Sequence, residues 1–396
     1  MATTAIGAAQ AAAPGIAVQG NQFVTTSAGT LGVISVGANV PVVLRGVNIT
    51  GSEYECLQGD SVWDSSSQPN AETTAEYQKV VNAILAWHAN VVRIPLNEDC
   101  WLDEPSSSPP PAATSGPVNY ADVIASFISV ANASGLIAEV DLHVGAGPEL
   151  VKKNSNNIDS FPAMDTNYSL AFWQSVASKF AGSPSVIFNL TNEPEFLSST
   201  SNWSCYLSGG CSTKGLPSPN GSANYWTVQG TQSVVTAIRN TGAKNPIIIA
   251  GLDYSNQLND WLSYVPSDPD GQIIAGIHIY FDDLDCEDAA CWTSVFGGIQ
   301  AAGYPIVVDE TGELDKVKNT PATGDTGCGS GSEQTLTAWA DAQSPQVGYW
   351  FWAFTSADWK NCTNGPDLLQ GPNPPTSFTA WPNYGTFVES HLQLVQ

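Results

Sequence analysis

The chain has 396 residues, 42% of them hydrophobic, enough for a large buried core. Its 12 Lys and Arg stand against 37 Asp and Glu, for a formal net charge of −25. That balance lacks a basic footprint and excludes nucleic acid and anionic membrane as partners, whereas a neutral polymer remains compatible.

Residues 1–14 are small, end at Pro14 and read as a disordered or appended tail. They show no basic n-region and no strong apolar core, so they do not read as an intact signal peptide. For an exported protein the expectation is a signal already removed and Met1 added for expression. Residues 15–40 alternate apolar and polar between Gly, Asn and Ser, a hairpin pattern.

A regular rhythm then begins. Short apolar runs recur at Val42–Ile49, Asn90–Leu96, Ile137–His143, Val186–Leu190, Pro246–Leu252, Ile273–Tyr280, Pro305–Glu310 and Val347–Phe354. Between them lie stretches with helical spacing: Thr74–Ala89, Tyr120–Ala133, Tyr168–Ala181, Ala223–Thr241, Trp292–Ala302 and Glu333–Gln343. The segment Ser255–Ser263 is short. Apolar strands alternating with helices predict a parallel sheet covered on both faces. Eight such units predict closure into an α/β (β/α)8 TIM barrel, with the hairpin 15–40 over its bottom and one catalytic domain spanning 15–396. No G-x-G-x-x-G and no Walker loop is present to favour an open nucleotide-binding sheet. Long segments at 51–73, 97–119, 195–221 and 311–332 follow strands, so they belong to the C-terminal face, where barrels build their sites.

Eight cysteines and no C-x-x-C pair argue for disulfides in an oxidising compartment rather than for a zinc ribbon. Many connectivities are possible. The expected set is Cys56–Cys100, Cys205–Cys211, Cys286–Cys291 and Cys328–Cys362.

Polar residues interrupt the apolar runs near their ends: Arg93 in VVRIPL, Asp141 and His143 in IAEVDLH, Asn192 and Glu193 in VIFNLTNEP, His278 and Tyr280 in AGIHIYF, Asp309 and Glu310 in PIVVDETGE, and Trp350 and Trp352 in GYWFWAF. Buried charges must be paired, so Arg93, Asp141, Glu193 and Glu310 are expected to meet. Two carboxylates on opposite strands suit glycoside hydrolysis, one protonated and one ionised. Arg93 would keep Glu310 charged, and burial would raise Glu193. The Asn192 amide would bond the sugar 2-hydroxyl. Tyr280 would hold Glu310, while His143 and His278 would bond sugar hydroxyls or carboxylates. Trp352 would offer a flat face to a pyranose. Of the 13 tryptophans, Trp63, Trp101, Trp203, Trp292 and Trp359 fall in loop regions, and a minority are expected to stack on sugars. His88 and His391 are expected to be structural. No H-E-x-x-H and no G-x-S-x-G occurs, so neither a metal nor any other cofactor is expected, nor a serine nucleophile.

The ordered set LRGVN (44–48), RIP (93–95), DLH (141–143), NEP (192–194), HIY (278–280), DETG (309–312) and WFW (350–352) resembles glycoside hydrolase family 5, the retaining cellulase group. The resemblance covers roughly residues 15–392. It implies a secreted enzyme, expected to be monomeric, acting on internal β-1,4 bonds of a polysaccharide, with β-glucan or cellulose first in line. Mannan, xylan or β-1,3-glucan by the same mechanism is the alternative, followed by a non-catalytic carbohydrate-binding barrel. It implies Glu193 as acid/base and Glu310 as nucleophile, with Arg93, His143, Asn192, His278 and Tyr280 around them and Trp352, Asn48 and Glu53 toward substrate. The phrases GSEYECLQG and RIPLNEDCW resemble a bacterial subgroup with this cysteine placement and support Cys56–Cys100. The chain departs from the family at Asp309, where Gly is usual. Strand alternation predicts that Asp309 points to the outer layer. Glu313 is the rival nucleophile.

Overall fold

In the computed structural model the apolar runs are strands because they are rich in Val and Ile, and each is too short for a stable helix between its polar borders. The structure describes residues 11–54, 56, 62–63, 73–102, 119–145, 163–195, 197–212, 227–280, 286, 288–312, 331–356, 367–370 and 378–395. Before the barrel come five short strands: β1 (Ile16–Gln19), β2 (Gln22–Thr25), β3 (Gly29–Leu31), β4 (Ile34–Val36) and β5 (Pro41–Val42). Eight more follow: β6 (Arg45–Asn48), β7 (Val91–Asn97), β8 (Ile137–Val144), β9 (Val186–Asn189), β10 (Ile247–Ala250), β11 (Ile273–Tyr280), β12 (Ile306–Gly312) and β13 (Gly348–Phe351). These eight pair in parallel and close on themselves, β13 bonding back to β6. The fold is the (β/α)8 barrel expected.

Helices pack outside: α1 (Thr74–Ala86), α2 (Glu98–Leu102), α3 (Tyr120–Ala133), α4 (Ser169–Phe180), α5 (Thr200–Ser208), α6 (Thr231–Asn240), α7 (Trp261–Tyr264), α8 (Ala289–Ala301), α9 (Gly331–Asp341) and α10 (Tyr384–Leu394). Side-chain caps start several of them. Thr73 accepts from Glu76 N, Asn119 from Asp122 N, and Asp288 from Ala290 N and Cys291 N. Each such cap contributes about 1 kcal/mol. Among the described residues, no helix is long and apolar enough to cross a membrane.

The bottom of the barrel is a second core. Leu44, Val91, Ile137, Ile187, Ile248, Ile274, Val307 and Trp350 meet inside it, and Ile16, Phe23 and Leu31 cap them from below. The N-terminal segment is therefore a lid as expected, although it holds two hairpins, β1–β2 and β3–β4, with β5 added to β2. The ordered chain reaches back before residue 15. Ala13 N donates to Asn132 O, Thr30 N donates to Ala12 O, and Ser185 Oγ donates to Pro14 O.

Cys56–Cys100, Cys205–Cys211 and Cys286–Cys291 are disulfides, as expected. Cys328 and Cys362 lie outside the described residues. Glu313, Trp359 and large parts of the four long loops do as well.

Candidate active site

Alternation along the strands sends every second residue into the barrel. On β7 this carries Arg93 above Val91, and on β8 it carries Glu139, Asp141 and His143 above Ile137. A polar layer thus rests on the apolar floor. Arg93, fully buried, is its hub. Its Nε donates to Glu139 Oε1 at 3.1 Å. Nη1 donates to Asn48 Oδ1 at 2.9 Å and to Glu310 Oε2 at 2.7 Å. Nη2 donates to Asp141 Oδ2 at 3.0 Å and to Asn192 Oδ1 at 2.6 Å.

Glu193 and Glu310 face one another across the top of this layer. Glu193, His278 and Glu310 bring one oxygen or nitrogen each to within 4.8 Å of one another, with His278 bonded to Glu193 and Glu310 held beside them by Arg93 and Tyr280. His278 Nδ1 lies 2.8 Å from Glu193 Oε1 and 3.8 Å from Glu310 Oε1. Tyr280 donates its hydroxyl to Glu310 Oε1 at 2.7 Å. His143 Nδ1 lies 2.9 Å from Asp141 Oδ2, and its ring stacks on Trp352 with centroids 5.6 Å apart.

The two glutamates are driven apart electrostatically. Burial raises Glu310, but the charges of His278, Arg93 and His143 and the Tyr280 bond outweigh it and hold the carboxyl below its ordinary value. Glu193 is raised, chiefly by burial; the His278 bond offsets part of this and the Glu310 charge adds to it. His278 is pushed up to about 10, with Glu310, Asp309 and Glu193 overcoming burial. Glu139 is raised by burial to about 8 despite Arg93, and Glu53 by burial to about 7 despite His143.

The expected residues Arg93, His143, Asn192, Glu193, His278, Tyr280, Glu310 and Trp352 thus come together. Three expectations change. Asn48 is fully buried, with Oδ1 on Arg93 and Nδ2 directed at Asp309 O and Trp350 O. It supports the arginine and is not open to substrate. Asp309 does not point outward. Ile277 pairs with Val308 and His278 with Glu310, so one extra residue of β12 bulges. The bulge cancels one step of alternation and turns both Asp309 and Glu310 inward. Trp63, Trp101, Trp203 and Trp292 are at most 6% exposed and belong to the core rather than to a sugar platform. Glu53, 5% exposed, accepts from Gly51 N at 2.7 Å.

Sequence reading missed Glu139 and Asn189. Asn189 Nδ2 donates to Glu139 Oε1 at 3.0 Å and to Asp309 Oδ2 at 2.6 Å, and Trp350 Nε1 donates to Glu139 Oε2. Stepping back by two from Asp141 reaches Glu139, and that signal was available.

A closed (β/α)8 barrel whose C-terminal rim gathers two facing carboxylates, an arginine and aromatic side chains defines a glycoside hydrolase. The profile of Cellulase (glycosyl hydrolase family 5) matches residues 45–358, and the chain belongs to that family. A search of curated proteins finds no match. Solved structures share the fold. A mannanase catalytic domain from Streptomyces sp. SirexAA-E is 18% identical with TM-score 0.55, covering 93% of this chain and 88% of its own. A triple mutant of an endo-β-1,4-glucanase from Xanthomonas axonopodis pv. citri is 16% identical with TM-score 0.57, covering 89% and 100%. A β-glucanase from Saccharophagus degradans is 17% identical with TM-score 0.58, covering 98% and 94%.

Proposed function

We propose that this glycoside hydrolase is a secreted, retaining endo-β-1,4-glycanase that acts first on β-glucan, with Glu193 as acid/base and Glu310 as nucleophile. The observation that carries the reading is the approach of the two carboxylates to within 4.8 Å. Retaining enzymes hold this pair about 5–5.5 Å apart, whereas inverting ones leave about 6.5–9.5 Å for a water.

In the first step a Glu310 oxygen attacks the anomeric carbon as the glycosidic oxygen leaves with the proton of Glu193. In the second, ionised Glu193 takes a proton from water, whose oxygen displaces Glu310. Arg93 and Tyr280 each hold one Glu310 oxygen, which keeps the nucleophile ionised and aligned. Arg93 also engages the carbonyl oxygen of Asn192, freeing the amide NH2 for the sugar 2-hydroxyl. Trp352, steadied on His143, supplies the apolar floor for a pyranose. The three disulfides among the described residues support an oxidising, extracellular location.

Mannan is the second reading, favoured by the mannanase among the similar folds. Reducing-sugar release from soluble β-1,4-glucan, mannan, xylan and β-1,3-glucan separates the two, with release from glucan expected to be fastest. Binding to any of them with no cleavage by the parent protein would instead favour a carbohydrate-binding barrel. EDTA is expected to leave turnover unchanged.

A further inference from the structure

We propose that Asp309 is a positioning residue that acts through His278: its carboxylate faces the Nε2 side of the ring and so secures the proton that Nδ1 shares with Glu193. The inference rests on the reading of Glu193 and Glu310 as the catalytic pair.

Three features of the chain are arranged around this carboxylate. The bulge in β12 turns Asp309 inward beside Glu310 instead of outward. Asn189 Nδ2 fixes Asp309 Oδ2 at 2.6 Å, and the same oxygen lies 3.8 Å from His278 Nε2. On the neighbouring strand, Gly276 leaves the space open. A Cβ there would stand 3.1 and 3.2 Å from the two Asp309 oxygens and 2.5 Å from Ile248 Cγ2. Asp309 is fully buried, and among the described residues its Oδ1 has no hydrogen-bond partner. The oxygen turned toward the ring is Oδ2, the one that Asn189 holds in place.

The ring is therefore held between Asp309 on one side and two glutamates on the other. A proton on Nε2 turned toward Asp309 leaves two forms open to the other side. In one, neutral His278 accepts at Nδ1 from protonated Glu193. In the other, the imidazolium donates from Nδ1 to ionised Glu193. Both forms keep one exchangeable proton in the Glu193–His278 pair, and a negative charge at Asp309 favours keeping it. Other ionisable groups act on the same cluster. Burial opposes protonation of the ring, Glu310 and Glu193 favour it, and Arg93, Glu139, His143, Tyr280 and the Tyr206 hydroxyl of α5 complete the surroundings. The consequence is that the acid remains loaded to a higher pH than burial of Glu193 alone would allow.

The test uses Asp309→Asn, which keeps an acceptor for Asn189 and removes the charge. The chain has 4 histidines, so the ring nitrogens of histidine-labelled protein can be followed by NMR, with His278 assigned by its loss in His278→Gln. The expected result is a fall of about one pH unit or more in the titration of His278. The alkaline limb of kcat/KM on the polysaccharide cleaved fastest should move to lower pH by a similar amount, because that limb reports the acid in the free enzyme. A role in packing alone would lower activity without moving the limb. An unchanged His278 titration, or a shifted ring with an unmoved limb, would overturn the proposal. Asp309→Gly, which cannot overfill the site, is the second variant and should give the same two shifts should Asp309→Asn not fold. Near-normal turnover by Glu193→Gln would instead remove the catalytic assignment, and the ring titration would still decide whether Asp309 governs His278.

Discussion

Arg93 donates all five of its guanidinium N–H groups, to Glu139, Asn48, Glu310, Asp141 and Asn192. No other side chain could satisfy that set, since lysine brings three donors from a single point. Arg93→Met would leave three buried carboxylates without their cation. The expected cost is about 3–5 kcal/mol of stability, read from denaturant unfolding, together with loss of activity. A variant of near-parental stability would contradict the hub role. Together with His278, whose charge acts more strongly, Arg93 sets the acid side of the pH profile. Glu310 must be ionised, and its lowered value keeps activity until the pH falls through it. Glu193 must be protonated, and its raised value keeps activity until the pH rises through it. The account therefore expects a bell of kcat/KM wider on both sides than two ordinary carboxyls would give. Glu193→Gln should cost about 10²–10⁴-fold in turnover of unactivated substrate.

The elements explain which parts of this were legible in advance. The eight barrel strands could be read from runs such as IIAGIHIY, because a buried parallel strand must be apolar over its whole length. Tyr120–Ala133 was equally plain, since its apolar residues recur at helical steps and Asn119 caps it. The short helices α2 and α5 were not, because they lie within polar loop sequence and carry too few turns to show a period. α10 was also missed, although Tyr384, Val388 and Leu392 follow the helical step. In the site, period two found His143, His278 and Tyr280. It failed at Asp309, because a bulge is a backbone event that shifts every later side chain without leaving a mark in composition. Disulfides act at this scale as well. Cys56–Cys100 closes a separation of 44 residues and ties the loop after β6 to α2. In the chain-entropy account its loss costs about 4 kcal/mol, against about 2 kcal/mol for Cys205–Cys211, which spans 6. Thermal unfolding of the paired Cys→Ser variants should show that order; equal costs would count against it.

Across the whole molecule, both ends of the described chain are fastened to the barrel bottom. β1 to β5 plug the floor, and α10 is held by a polar cluster. His391 Nε2 lies 2.7 Å from Tyr349 Oη, Arg45 Nη2 donates to Asp341 Oδ1 at 2.6 Å, and Arg45 Nη1 donates to Val395 O at 3.3 Å. Asp341 is lowered from 3.8, the His391 bond and Arg45 outweighing burial. A depressed carboxyl stabilises the fold above its unfolded value and loses that contribution as the pH falls through the folded one. Melting temperature should therefore drop below pH 3.8 less steeply in Asp341→Asn than in the parent. The barrel also joins Glu193 at the tip of β9 to Glu310 on β12, and the chemistry depends on that closure. The most direct test is to incubate the protein with a 2-deoxy-2-fluoro cellobioside carrying a dinitrophenyl leaving group, whose fluorine slows the second step, and to sequence the labelled peptide by mass spectrometry. The account predicts a single glycosyl ester on Glu310; a label on Glu313 or any other carboxylate would contradict it.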